Sequence, residues 1–260
     1  MANKKIFLLR VNTNECRYEV RVNDLRLLVG NDGYPAASEY PINHLLKKGT
    51  CTMQSELFPL STEKQLKPSA NCKLELFEQP ATNISTSKNK LSLKKLQSDL
   101  FFTNGEVQTK LNGFYIIESD DMDPMWTDGE LLNESKELLE DVFKFYRNLH
   151  SLFAKKDCNA IIEMIYQREK EFCIAYGLKF TERIEYMRNH FLSFMQNPEF
   201  TLWDFEPTNT ILKLYGNRKL AALEFNNREA VIAYVDLKNS LTFYLPFYIS
   251  KINNNWQISL

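Results

Sequence analysis

The chain has 260 residues, 44% hydrophobic and 13% aromatic, with 32 basic and 33 acidic side chains for a net charge of −1. That composition belongs to a globular protein long enough to bury a core without staples. The charge balance leaves no bulk electrostatic case for nucleic acid or an anionic membrane as partner.

The opening MANKKIFLLR has one short apolar run, Ile6–Leu9, which Arg10 ends. It is too short for the core of a signal peptide, and no later run approaches the ~18 apolar residues that span a bilayer, so the chain is expected in the cytoplasm. Strands are expected over 6–11 and 16–22, where Cys16-Arg17-Tyr18-Glu19-Val20-Arg21-Val22 alternates apolar with charged positions, and Leu25–Val29 continues or follows them. Gly30-Asn31-Asp32-Gly33 reads as a turn, Ile42–Leu46 as one helical turn ended by Gly49, and Cys51–Leu57 and Lys73–Phe77 as further strands. Residues 79–90 are polar and turn-rich. Phe101-Phe102 and Phe114–Ile117 close an all-β half, for which a β-sandwich is expected over 1–117.

Residues 118–130, ESDDMDPMWTDGE, read as an acidic linker in which Pro124 discourages helix. A helix is expected from about Leu132 to Lys155, with Leu138, Leu139, Val142, Tyr146, Leu149 and Phe153 on one face. A second follows Asp157 as N-cap, carries Ile161, Ile162, Ile165, Phe172 and Tyr176, and stops at Gly177. A third begins at Thr181, with Ile184, Met187, Phe191, Phe194 and Met195 inward. Strands are then expected over 200–205, 210–215, 219–225, 229–236, 241–252 and 255–259. In the longest, Leu241, Phe243, Leu245, Phe247 and Ile249 face one way and Thr242, Tyr244, Tyr248 and Ser250 the other, with a bulge or edge at Pro246.

This order of helices followed by antiparallel strands, closing with SLTFYLPFYISKI and NNNWQISL, resembles the NTF2-like α+β cone over residues 131–260. The format of the whole chain resembles cytosolic immunity proteins that antagonise secreted bacterial toxins, type VI secretion effectors in particular. That format is moderate size, no export signal, an acidic segment, and an Asn- and Lys-rich composition without catalytic motifs. The resemblance implies an α+β chain, an N-terminal sandwich joined by the linker to an NTF2-like domain, that binds a cognate toxin and blocks it by occlusion. It carries no functional residue over.

Candidate partner-binding residues follow from the chain's own chemistry. Asp120, Asp121, Asp123, Asp128 and Glu130 could meet a basic toxin surface, with Trp126 as a desolvated anchor; the alternative is a solvated linker whose tryptophan packs between the domains. Asp121 and Asp123 begin a D-x-D pattern, but Met125 stands where the next oxygen ligand belongs, so no metal is expected. Tyr244 and Tyr248 become interface candidates if exposed together, and core residues otherwise. Lys88, Lys90, Lys94 and Lys95 lack interleaved aromatics and read as a solvated loop. No catalytic residue and no cofactor is expected: there is no nucleophile elbow, phosphate loop, dinucleotide turn or zinc spacing. Five widely spaced cysteines without C-x-x-C suit reduced, buried thiols. The alternative function is an NTF2-like enzyme or small-ligand binder, in which His190, Asp204 and Tyr244 would converge inside the cone. Oligomeric state is left open.

Overall fold

The structure, a computed structural model, describes residues 5–30, 33, 35–80, 91–97, 109–117 and 124–260. The chain is α+β and divides into two compact units. One comprises Met1–Pro124 with Ala175–Gly177, the other Met125–Ile174 with Leu178–Leu260.

The first unit contains β1 (Lys5–Asn14), β2 (Arg17–Val22), β3 (Leu25–Gly30), β4 (Ala36–Pro41), β5 (Gly49–Phe58), β6 (Asn71–Pro80), β7 (Leu91–Gln97) and β8 (Thr109–Ile117). They form two antiparallel sheets, ordered β4-β1-β6-β7 and β3-β2-β5-β8. Period-two alternation is visible in β5, where Cys51, Met53, Ser55 and Leu57 are buried and the residues between them are not. The β2–β3 turn uses Asn23 and Asp24, both at positive φ (52° and 63°), the backbone that a tight two-residue hairpin needs and that asparagine tolerates. Asn23 also pins β5: its Nδ2 donates to the Leu45 carbonyl at 2.8 Å and its Oδ1 accepts from the Thr52 amide at 2.9 Å. Strand β4 has no counterpart among the sequence expectations. Its sequence AASEYP has weak β-propensity, and it pairs as an edge with β1, where its terminal proline is tolerated. The Phe101-Phe102 expectation and residues 81–90 of the expected loop lie outside the described residues.

The second unit begins earlier than the linker expectation allows. Met125–Asp128 form a 3-10 turn, and the chain after it is tied to the strands of this unit. The Glu130 amide donates to the Lys251 carbonyl and the Leu132 amide to the Arg218 carbonyl, each at 2.8 Å. Gly129 lies so close that an added Cβ would stand 2.7 Å from the Lys219 carbonyl oxygen. Three helices follow: α1 (Lys136–Ala154), α2 (Cys158–Tyr176) and α3 (Phe180–Met195). Helix α1 starts four residues later than expected because Ser135 caps it, accepting from the Leu138 amide at 3.1 Å. Asp157 caps α2 in the same way through the Ala160 amide, and Gly177 leaves it at φ 67°.

Strands β9 (Phe200–Leu202), β10 (Thr210–Tyr215), β11 (Leu220–Phe225), β12 (Ala233–Asp236), β13 (Leu241–Tyr244), β14 (Ile249–Ile252) and β15 (Asn255–Ile258) complete the unit. They form two antiparallel sheets, β13-β12-β9 and β10-β11-β14-β15. The single strand expected over 241–252 is therefore two strands in two sheets. Pro246 has no amide to donate, and the chain between them is held instead by the Leu245 amide on the Ile232 carbonyl and the Tyr248 amide on the Leu260 carbonyl, both at 2.8 Å. The β14–β15 turn uses Asn253 and Asn254 at positive φ.

The core of this unit is aromatic. Phe153 meets the rings of Phe191, Tyr234 and Phe247, and Phe194 stacks on Tyr234. Val142, Tyr146, Leu149, Ile161, Ile165 and Phe191 are buried beside them, on the faces that the 3.6-residue periodicity marks. Leu139, expected on the inner face of α1, is instead exposed in its first turn. Helices α2 and α3 are joined by an ion triad around Glu169, which is 1% exposed. Arg168 Nε donates to Glu169 Oε1 at 2.7 Å and Arg183 Nε to Oε2 at 2.6 Å.

Candidate binding cleft

Within the second unit, α1, α2 and the edge strand β15 line an open cleft of about 320 Å³. That is the lower end of the size range of small binding pockets. Phe145 comes from α1, Glu163, Met164, Tyr166 and Gln167 from α2, and Trp256, Gln257 and Ile258 from β15. The helical positions 163, 166 and 167 are spaced i, i+3 and i+4, which places them on one face of α2. On β15, Trp256 and Ile258 share a face by strand alternation, with Ile258 buried and Trp256 partly so.

Polar groups in the cleft differ in how they are engaged. Gln167 Nε2 donates to Glu171 Oε1 at 3.4 Å. Glu171 Oε2 accepts from the Met125 amide at 2.8 Å, so the carboxylate beside the cleft anchors the 3-10 turn. Burial pushes the Glu171 carboxyl up from its ordinary value, against that hydrogen bond and the one from Gln167, with the charge of Asp128 adding to the rise. Gln257 Nε2 approaches Met125 Sδ at 2.9 Å. Glu163 is exposed and, among the described residues, has no ion pair or hydrogen bond. Tyr166 is 50% exposed, and its ring is fixed edge-to-face against Phe180 at 4.8 Å.

A second polar constellation lies on α1 and the segment after β9. Arg147 bridges Asp204 (2.9 Å) and Glu206 (2.8 Å), and its guanidinium lies over the rings of Phe143 and Phe205. His150 Nε2 is 3.1 Å from the Trp203 carbonyl and 3.8 Å from Asp204 Oδ1. The Asp204 carboxyl is held below its ordinary value first by the Phe205 amide and then by Arg147 and His150.

The convergence of His190, Asp204 and Tyr244 is not what the side chains do. Asp204 is engaged with Arg147 and His150, whereas His190 stacks on Tyr186 and meets Phe194 edge-on, its pKa lowered by burial and by Arg183. Tyr244 pairs opposite Ala233 in the three-stranded sheet. Tyr248 sits in the break between β13 and β14, edge-on to Tyr215 at 5.2 Å. Both tyrosines are half-buried, and the unbroken strand that would align them on one face is absent because of Pro246. Trp126 is 1% exposed and so is no surface anchor. Asp128 is exposed on the 3-10 turn, and Glu130 accepts the Asn254 amide at 2.9 Å. Asp120, Asp121 and Asp123 lie outside the described residues, as do Lys88 and Lys90, whereas Lys94 and Lys95 stand in strand β7, paired with β6, and not in a loop.

The five cysteines are free and buried. Burial pushes the Cys16 thiol to about 11 and the Cys72 thiol to about 12, far from the thiolate that nucleophilic chemistry needs. Reading the sequence alone missed Phe145, Glu163, Tyr166 and Gln167. The available signal was an aromatic, Tyr166, on the otherwise polar face of α2. No family model, curated protein or solved structure matches the chain.

Proposed function

We propose that this chain is a binding protein, and specifically a cytoplasmic immunity protein that holds a cognate secreted toxin and blocks it by occlusion. The observation that carries the reading is the cleft itself. Phe145, Tyr166 and Trp256 are gathered with an unengaged carboxylate, Glu163, on regular elements rather than on loops. Aromatic anchors in a partly desolvated recess with a charge at the rim are the composition of a protein-interface hot spot. The two four-stranded sheets of the first unit are read as a β-sandwich, and the helices and sheets of the second as an NTF2-like cone, within this same proposal. Occlusion needs no chemistry from this chain.

The test is a pull-down from native cells with the full chain as bait, followed by co-expression. A single near-stoichiometric partner whose expression alone stops growth, and is neutralised by this chain, is the expected result. Co-purification with several stable subunits and no rescue of growth would reject it.

A second reading, an NTF2-like enzyme or small-ligand binder, draws on a different observation. Tyr215 donates to Glu224 at 2.6 Å in the interior of the second unit, and the Tyr146 hydroxyl donates to the Phe247 carbonyl. Polar groups gathered in a core are what a ligand-binding cone uses. Native mass spectrometry of the purified chain separates the readings: a retained small molecule supports the second.

A further inference from the structure

We infer that the α1–α2–β15 cleft is a receptor for an arginine side chain presented by a protein partner, with Glu163 as its counter-ion and Trp256 and Tyr166 as its stacking surfaces. The inference deepens the binding reading above and rests on it for the claim that the arginine belongs to a protein.

Three observations lead to it. Three different aromatic rings, Phe145, Tyr166 and Trp256, line one small volume. Their faces carry negative quadrupole density, which attracts a cation placed within about 6 Å of a ring centroid. The charged side chain among the lining residues is Glu163, a carboxylate, and no cation faces it among the described residues. Lys251, the direct cross-strand partner of Trp256 on β14, is not part of the lining. Finally, Gln167 and Gln257 also line the cleft, and each side-chain amide has an oxygen that can accept a hydrogen bond. Aromatic faces, a carboxylate and neutral acceptors together describe the complement of a planar, multi-donor cation.

Arginine fits better than lysine on chemistry. A guanidinium stacks on aromatic faces and meets a carboxylate with two parallel donors, whereas an ammonium is a strongly hydrated point charge that gives up water reluctantly. The rim argues for a side chain rather than a free small molecule. Glu163 and Gln167 are exposed and Tyr166 is 50% exposed, so the cleft opens outward and could not surround a free ligand on most sides. A side chain reaching in from a docked surface closes the rim with its own backbone and neighbours. The same chain already uses the geometry internally: Arg183 lies 4.4 Å over Phe172 while bound to Glu169, and Arg147 lies 4.8 Å over Phe205 while bound to Asp204.

The experiment uses the full chain and four probes followed by NMR at the tryptophan indole resonances: N-acetyl-arginine amide, N-acetyl-lysine amide, the neutral N-acetyl-norleucine amide, and tetramethylammonium. Expected is a saturable shift of the Trp256 resonance with the arginine probe, weaker with lysine and absent with norleucine. Glu163→Gln, at an exposed position that leaves the fold intact, should weaken the arginine probe by roughly tenfold. Equal response to norleucine would overturn the inference by making the cleft merely apolar. Unchanged arginine binding in Glu163→Gln would remove the counter-ion and overturn it as well. Tetramethylammonium binding more tightly than arginine would reassign the cleft to a small organic cation. Because the probes are free amides, a failed pull-down counts against the toxin reading alone, while these outcomes count against the cleft assignment alone.

Discussion

Helix α2 carries carboxylates in three environments within nine residues, and comparing them separates what holds the fold from what is available to a partner. Glu169 is buried and saturated by two arginines. Glu171 is partly buried and divided between a backbone amide and a glutamine. Glu163 is exposed and, among the described residues, engages nothing. Residue type is constant and helix is constant, so the differences come from neighbours that tertiary structure supplies. A buried carboxylate must be paid for by partners. An exposed one on the rim of an aromatic cleft has its partner still to come.

Removing the saturated member should have the largest effect. Glu169→Ala leaves Arg168 and Arg183 facing each other with their shared counter-ion gone, and burial already pushes the Arg168 guanidinium down from its ordinary value. A loss of about 3–5 kcal/mol is expected, the scale for breaking a buried pair from one side, read as a lower urea midpoint at unchanged slope. Glu169→Gln, which keeps the shape and one acceptor, should fall between that variant and the parent.

Next is the turn that Glu171 anchors. Gly129 has no room for a side chain: a Cβ would meet the Lys219 carbonyl at 2.7 Å, and backbone cannot yield as a flexible side chain would. Gly129→Ala should cost about 1–3 kcal/mol by overpacking, measured in the same denaturation experiment. A neutral result would mean that the 125–132 segment is held less firmly than its hydrogen bonds to Arg218 and Lys251 indicate.

How much of this was legible in the sequence depends on the range of the interaction. The inner faces of α1, α2 and α3, the Asp157 cap and the asparagine turn of β14–β15 are local, and periodicity and residue chemistry disclose them. The late start of α1 was legible too, since Ser135 is a strong cap, but the preceding Leu131, Leu132 and Glu134 masked it. The division of 241–252 into two strands was half legible: Pro246 signals an interruption, yet only pairing partners decide that β13 and β14 join different sheets. Strand β4 forms because β1 offers an edge, not because AASEYP favours extended backbone. The cleft was the least legible part. Phe145, Glu163 and Trp256 are far apart in the chain, and nothing in one segment announces the others.

For the intermediate carboxylate the expected effect is smaller and depends on pH. Glu171 has a folded-state pKa raised by burial, so the folded chain takes up its proton more readily than the unfolded chain. Ionised Glu171 therefore costs stability at neutral pH, and the cost is relieved as pH falls through the raised pKa. Glu171→Gln retains an acceptor for the Met125 amide and carries no charge to bury. It should match or slightly exceed the parent in Tm near pH 7, with the difference shrinking as pH is lowered toward about 4, the ordinary glutamate range. A difference that grows on acidification would have the wrong sign and would mean that the carboxylate is stabilised by its hydrogen bonds more than it is penalised by burial.

The smallest expected stability effect belongs to Glu163. Its side chain is exposed and unengaged, so Glu163→Gln should leave the unfolding free energy within about 0.5 kcal/mol of the parent, the ordinary range for surface substitutions away from special features. That null result sharpens the comparison only alongside Glu169→Gln, the same chemical change six residues later on the same helix, where a clear loss is expected. If the two variants lose equally, the cleft carboxylate contributes to the fold after all. If only Glu169→Gln loses stability while Glu163→Gln loses affinity for the arginine probe, structure and recognition are divided between two glutamates on one helix.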